Sequence, residues 1–312
     1  MTTKDLRPLQ AKVWEGCVPL EIRLASNECK TYDESDAFLV LVPRQSYIPL
    51  LLPRLHGFFH DSLINEEVNF WNGWLSYQDV PMKWHLPIGL LYDLYSGASE
   101  QLRDTHDHKP DMSPYSSNED AETTQGLRTW KLTLHFQDWP KEALAPLDSE
   151  GKVMQDAFTN SVKESSFVRH GSAKVVMALS KDDSTQLWDA VKKNDFPRFS
   201  VVNQKLLNHP GATLKHVPIK VYLPAASSNN DTAGHLRMVQ CLVTPSISAR
   251  QPQTLGTALN SMLPSLFPSR KNCIIALPVL QGSIVPLGVS IEALAEVAAY
   301  ADGFLRITVV MR

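Results

Sequence analysis

The first 140 residues carry patterns typical of strands separated by one amphipathic helix. Apolar and polar side chains alternate over residues 18–24 (VPLEIRL), and residues 38–42 (FLVLV) form a short apolar run before a proline, which together predict a β-hairpin. Apolar positions at nearly helical spacing predict a helix over residues 46–64, with Ser46 capping its first turn. Strict alternation at residues 130–136 (WKLTLHF) predicts a closing strand.

Shorter elements are predicted between that helix and the closing strand. Aromatic-rich segments occupy residues 74–77 and 82–84, and Pro87 opens the apolar helical segment IGLLYDLY. The resulting order of hairpin, helix, strand, short helix and final strand is that of a ubiquitin-like β-grasp.

The last hundred residues repeat this order of elements without detectable sequence identity to the first part. Strands are predicted at 215–223, 236–243, 272–277 and 304–311, and helices at 254–263 and 290–299. The chain is therefore predicted to contain two domains of the same architecture.

The middle of the chain, residues 141–209, lacks strand alternation and predicts helices. Met154, Ala157, Phe158 and Ser161 fall on one helical face, and an Asp183/Gln186 pair resembles a capping box. The predicted fold class is α+β, with two ubiquitin-like β-grasp domains flanking a helix-rich domain. The boundaries we expect are an N-terminal helix or tail at 1–16, then domains at 17–140, 141–209 and 213–312.

A polar, acidic segment at residues 97–127 interrupts the first predicted domain. It has almost no large apolar side chains, so it cannot bury enough surface to offset its ordering entropy, and we predict a disordered insertion. His106 and His108 lie in it, but isolated histidines in an acidic solvated loop do not predict a metal site.

The charges are spread unevenly along the chain. The whole sequence has 312 residues and a formal net charge of −3, which argues against nucleic acid as a partner. Residues 1–96 carry a net charge of −4, whereas residues 213–312 carry +4. The basic C-terminal domain is either merely solvated or docks an acidic partner or anionic lipid headgroups.

Candidate chemistry is sparse. The sequence has no Gly-rich phosphate loop, no Gly-x-Ser-x-Gly and no His-Glu-x-x-His, so nucleotide-binding, hydrolase and metalloenzyme functions lack support, and no cofactor or metal is expected. Cys17, Cys29, Cys241 and Cys273 lie far apart, and we expect mostly buried thiols rather than disulfides or a zinc site. No apolar run is long enough for a signal peptide or a membrane span.

Aromatic side chains are unusually dense early in the chain. Trp71, Trp74, Tyr77 and Trp84 lie within fourteen residues. Core packing and a partly exposed interface both remain open as explanations.

Four collinear segments carry a specific resemblance. They are LVPRQSYIPLLLPRL, PMKWHLPIGLLYDLYSGAS, DDSTQLWDAVKKNDFPRFSVVNQKLL and QTLGTALNSMLP. Together they resemble the autophagy protein 5 family over nearly the whole chain, with KWHxPIGLLxDL as the most specific motif. The acidic insertion is longer than in animal members, as in filamentous-fungal sequences.

The resemblance implies a scaffold that is not a catalyst by itself. It implies covalent attachment through one lysine to the C-terminal glycine of the ubiquitin-like autophagy protein 12, and a groove for the N-terminal helix of autophagy protein 16. It also implies that the assembly acts like a ligase, promoting transfer of autophagy protein 8 from its conjugating enzyme to phosphatidylethanolamine. The implied location is the cytoplasm and, peripherally, the membrane of the preautophagosomal structure.

By motif, the acceptor lysine of the family corresponds to Lys163 in MQDAFTNSVKESS. With Met154 at 0° and about 100° per residue, Lys163 falls at about 180° and is expected to face solvent. Lys152 falls at a similar angle, and Lys174 also competes, so predicted exposure alone does not choose among them.

Two other functions remain open at this point. One is an enzyme of a ubiquitin-like cascade with its own thioester cysteine, whose transfer activity would be lost when the four cysteines are replaced. The other is a ubiquitin-like adaptor outside autophagy, which predicts no covalent adduct at Lys163.

Overall fold

The computed structural model describes residues 6–30, 35–97, 129–224 and 236–312. Apart from Gly97, the predicted acidic insertion at 97–127, with His106 and His108, lies outside these residues.

The first domain is built on a five-stranded mixed sheet. Its elements are α1 (Arg7–Trp14), β1 (Cys17–Leu24), β2 (Phe38–Pro43), α2 (Leu52–Phe59), β3 (Trp74–Tyr77), β4 (Val80–Pro81), α3 (Ile88–Tyr92) and β5 (Trp130–His135). The strand order is β2-β1-β5-β3-β4, with β1 and β5 parallel and every other pair antiparallel. In β1, alternate side chains such as Val18, Leu20 and Ile22 are fully buried, as the period-2 pattern predicts.

The helix predicted over residues 46–64 is wrong in its extent. It is divided into a 3₁₀ turn at Ile48–Leu50, helix α2, and a second 3₁₀ turn at His60–Ser62. Pro49 and Pro53 each lie at the start of one of these pieces, where the missing proline N–H does no harm. Ser46 does not cap the segment. The capping position of the first turn is occupied by Tyr47, whose side chain makes no capping hydrogen bond.

Helices alone make up the middle region. They are α4 (Lys152–His170), α5 (Lys174–Met177), α6 (Lys181–Lys192) and α7 (Phe196–Leu207). The predicted Asp183/Gln186 capping box is wrong. Ser180 caps α6 by accepting from Asp183 N–H, whereas Gln186 donates its amide to the Arg198 carbonyl.

The third domain repeats the sheet of the first. Its elements are β6 (Ile219–Pro224), β7 (Leu236–Gln240), β8 (Ser246–Ser248), β9 (Gln251–Pro252), α8 (Leu255–Met262), β10 (Ala276–Leu280), β11 (Ser283–Ile284), α9 (Ile291–Ala298) and β12 (Leu305–Met311). The five-stranded sheet has the order β11-β10-β12-β6-β7, with β6 and β12 parallel. Strand for strand, this is the order of the first sheet, so the predicted fold is confirmed: two ubiquitin-like domains flank a helical region.

The strand predicted at 272–277 is displaced toward the C-terminus. The observed strand β10 runs through Pro278, which the sequence pattern treats as a break. The carbonyl of Pro278 faces β11 and accepts from Val285 N–H, so its missing donor does not interrupt pairing with β12.

Candidate functional site

Lys163 lies at the middle of α4, on the face turned away from the core. Met154, Phe158 and Val162 of the same helix are buried, while Lys163 is exposed. The helical periodicity therefore predicts its exposure correctly.

Exposure does not distinguish Lys163 from its competitors, since Lys152 and Lys174 are exposed as well. Lys152 has Glu150 at 3.7 Å, with both side chains about three-quarters exposed. Within the ranges that the structure describes, the Lys163 ammonium has neither a hydrogen bond nor an ion pair. Lys174 begins α5, a helix of only four residues.

The neighbours of Lys163 on α4 bind the third domain. Ser161 donates to the Asp302 carboxylate at 2.6 Å, and Ser165 donates to the Asp302 main-chain carbonyl at 2.6 Å. Glu164 pairs with Lys220 of β6 at 2.7 Å. The segment of α4 that carries Lys163 is therefore attached to the third domain by neighbouring side chains on other faces of the helix.

Asp302 is itself held in a buried ion pair with Arg306 of β12, whose guanidinium also donates to the Tyr222 hydroxyl. Burial alone would raise the pKa of Asp302, but Arg306 and the hydrogen bonds to the carboxylate bring it below its usual value. Asp302 is consequently a charged, fixed acceptor for the Ser161 hydroxyl.

An aromatic cluster fixes α4 to the first domain. Phe158 packs with its ring centroid 5.1 Å from that of Trp188 in α6 and 6.4 Å from that of Tyr47. Helix α4 is thus packed between both ubiquitin-like domains.

A cleft opens where all three regions meet. Two adjoining cavities of 60 Å³ and 460 Å³ are lined by residues of α1, α4, α7 and α9. Their shared walls are Gln10, Arg169, Gln204, Leu207 and Glu296. Burial lowers the pKa of Arg169, despite the neighbouring carboxylates of Glu296 and Glu292. No motif of the sequence pointed to this cleft, because its walls come from four helices far apart in the chain.

The cysteines do not form a nucleophilic centre. Cys29 is buried, but Cys17 and Cys241 are exposed, so the expectation of buried thiols is wrong for these two. Cys17 lies at the start of β1 on the side away from the core, and Cys241 follows the end of β7. Desolvation raises the pKa of both Cys17 and Cys273, which disfavours the thiolate that a transfer enzyme requires.

The dense aromatics divide between the core and the surface, so core packing accounts for only part of them. Trp84 is buried and donates its indole N–H to the Ala145 carbonyl. Trp71 is only partly buried and lines a 550 Å³ groove with Trp139 and Leu147.

Metal binding and membrane spanning find no support in the residues described. Over those ranges, no three His, Cys, Asp or Glu side chains approach one another closely enough to hold a metal ion. None of the helices there combines the length and the apolar character that a bilayer crossing requires.

Comparison with known proteins places the chain in a family. Residues 13–136 match the model described as "Autophagy protein ATG5, UblA domain", residues 151–209 the alpha-helical bundle region of the same protein, and residues 216–309 its UblB domain.

Similar proteins and a similar structure agree with these matches. Autophagy protein 5 of Phaeosphaeria nodorum is 49% identical and that of Aspergillus clavatus 44%, over 97% and 98% of this chain and 96% and 98% of theirs. The crystal structure of Kluyveromyces marxianus Atg5 superposes with a TM-score of 0.73 at 21% identity, covering 97% of this chain and 99% of that one. The chain therefore belongs to the autophagy protein 5 family: it is a non-catalytic scaffold that is conjugated to autophagy protein 12, and the conjugate promotes lipidation of autophagy protein 8.

Proposed function

We propose that Lys163 is the residue through which the chain is conjugated to autophagy protein 12. The observation that carries this proposal is an exposed ammonium that forms no ion pair with any described residue. It lies on a helix packed between both ubiquitin-like domains, within the segment that resembles the acceptor motif of the family. In the reaction, the deprotonated Nζ attacks the thioester carbonyl carbon between autophagy protein 12 and its conjugating enzyme. The C–N bond forms, the C–S bond breaks, the enzyme's cysteine leaves as thiolate, and the amine loses its second proton.

The test is coexpression with autophagy protein 12 and its conjugating machinery. Lys163→Arg keeps the charge but removes the nucleophile, so we expect the adduct to disappear from gels and its branched peptide from mass spectra. Lys152→Arg and Lys174→Arg are matched controls that should conjugate like the wild type. An adduct that persists in Lys163→Arg would refute this assignment.

We further propose that the cleft between α1, α4, α7 and α9 binds the N-terminal helix of autophagy protein 16. Its walls come from the first domain's leading helix, the helical region and the third domain, as expected for a groove formed by all three. It offers an apolar surface at Leu207 and Val13 and charges at Arg169 and Glu296, which suits an amphipathic helix with polar residues beside its apolar face.

Leu207→Asp places a charge on the wall shared by both cavities, so we expect copurification with an autophagy protein 16 N-terminal peptide to be lost. Val201→Asp is the control: Val201 is 49% exposed on the same helix but lines neither cavity. Undiminished binding by Leu207→Asp would exclude this cleft.

The proposal also includes the domain boundaries and the cellular location of the protein. The domain boundaries at 17–140, 141–209 and 213–312 are supported by the sheets and helices that fall within them. For location, we propose the cytoplasm and a peripheral, partner-driven association with the preautophagosomal structure.

A further inference from the structure

The segment of α4 around Lys163 is attached to the third domain at three places. Ser161, Glu164 and Ser165 each bond to that domain, and all three lie within two residues of Lys163. On a helix of about 100° per residue, Ser161 and Ser165 point about 160° away from Lys163. The two serines thus hold the backbone from the opposite side of the helix, and Glu164 holds it about 100° around the helix from Lys163.

The groups that receive these contacts are themselves fixed. Asp302 is only 1% exposed and is paired with Arg306. Lys220 is 7% exposed, and its ammonium lies 4.0 Å from the centre of the Phe304 ring. Because neither partner can follow the helix, displacing the Lys163 turn requires breaking one buried contact, from Ser165, and two partly buried ones, from Ser161 and Glu164.

Lys152 provides the contrast on the same helix and a similar face. It lies at the first position of α4, after Gly151, whose backbone is left-handed (φ 69°) and has open space around it. Its ion pair is with Glu150, a neighbour that is itself exposed. The turn of Lys163 is therefore held by another domain, whereas the turn of Lys152 is held from within its own region, where Asp148 accepts from the Lys152 backbone N–H at 2.9 Å.

We propose that the third domain selects the acceptor, with Glu164–Lys220 and Ser161–Asp302 as positioning contacts that favour Lys163 over Lys152 for attack on the thioester. The inference rests on the proposed role of Lys163. These residues do not touch the reacting atoms; they hold the helical turn that carries the amine in one position relative to the third domain. Small displacements of a reacting group lower rates steeply, so a loosened turn slows transfer and lets other lysines compete.

The test compares the full chain with the Ser161→Ala/Glu164→Ala double variant in reconstituted conjugation. We expect kcat to fall about ten-fold with KM changed by less than about two-fold, since docking is retained and alignment is lost. We also expect branched peptides at Lys152 to appear in the mass spectra. A purely structural contact would lower the amount of folded protein without redirecting the adduct.

Two control variants distinguish the effect of losing the Glu164–Lys220 contact from the effect of losing the charge of Glu164 and from a general loss of stability. Glu164→Gln retains an acceptor for Lys220, so it should conjugate at close to the wild-type rate. Asp183→Ala removes an ion pair with Lys205 at 2.8 Å elsewhere in the helical region, and should leave both rate and acceptor unchanged. If the double variant does not fold, Glu164→Ala alone carries the test, because Glu164 is 45% exposed and Lys220 keeps Phe304.

The inference is overturned if the Ala variants conjugate at the wild-type kcat with every adduct on Lys163. It is also overturned if Glu164→Gln behaves like Glu164→Ala, since that result would assign the effect to charge. Either outcome leaves the acceptor role of Lys163 intact, because that role fails only if Lys163→Arg still forms the adduct.

Discussion

Lys163 is exposed because a 19-residue helix packed between two domains can bury only part of its circumference. Met154, Phe158 and Val162 occupy the buried side, and the serines at 161 and 165 meet the third domain. The remaining face carries exposed side chains, among them Lys163. A nucleophile on that face has a fixed backbone and a mobile tip.

His135 makes the first domain sensitive to acid. Its ring stacks on Trp74 at 4.0 Å and is hydrogen-bonded to the Ser76 hydroxyl at 2.9 Å, and burial lowers its pKa to about 4. The unfolded chain binds this proton near pH 6.5, so stability decreases as pH falls from about 6.5 toward about 4.

His135→Phe keeps a stacking ring but removes the titrating group. We expect the urea midpoint of the wild type to drop more between about pH 7 and about pH 5 than that of the variant. The loss of the Ser76 hydrogen bond lowers the variant's midpoint equally at both pH values. Parallel pH profiles for the two proteins would show that His135 does not contribute.

The exposed position of Lys163 could be predicted from the sequence, whereas the contacts that attach its helical turn to the third domain could not. The periodicity of Met154 and Phe158 is local, so it reveals which side of the helix Lys163 occupies. Its anchoring depends on Asp302 and Lys220, whose bonds to Ser161 and Glu164 span 141 and 56 residues of sequence. Local sequence patterns do not predict hydrogen bonds between residues so far apart in the chain.

Element order could be predicted because strands β1 and β5 keep a period-2 burial pattern and helix α4 keeps a period near 3.6. The errors occur at prolines and caps. Pro49 and Pro53 divide one predicted helix into three pieces, whereas Pro278 is tolerated inside β10 because it faces a two-residue strand. The cap of α6 was misplaced because Ser180 and Asp183 are both good capping residues, and only geometry decides between them.

Buried polar contacts, as well as apolar packing, hold the domains together. Arg44 of the first domain pairs with Asp93, and the other carboxylate oxygen of Asp93 accepts from Gly282 N–H of the third domain at 2.9 Å. Gln45 likewise accepts from Ala301 N–H at 3.0 Å. The relative placement of the two ubiquitin-like domains is thus fixed by groups that water does not reach.

Removing one partner of the Arg44–Asp93 pair should therefore be costly. Asp93→Leu leaves a buried guanidinium without its carboxylate, and we expect a loss of about 3–5 kcal/mol in the free energy of unfolding. The double variant Arg44→Met/Asp93→Leu should lose less than the single variant, because no charge is left buried. Urea titration of the full chain measures both, and additive losses would contradict the coupling.

The parallel pairing of β1 with β5 and of β6 with β12 determines when each domain can form during synthesis. In each sheet, the first strand meets its central neighbour only after the last strand has left the ribosome. The third domain cannot complete its sheet before β12 (Leu305–Met311) is available to pair with β6, and pairing of high sequence separation slows folding. Until then, Ser161, Glu164 and Ser165 lack their partners in the third domain. The helical turn that carries Lys163 is therefore not yet held in a nascent chain as it is in the folded protein.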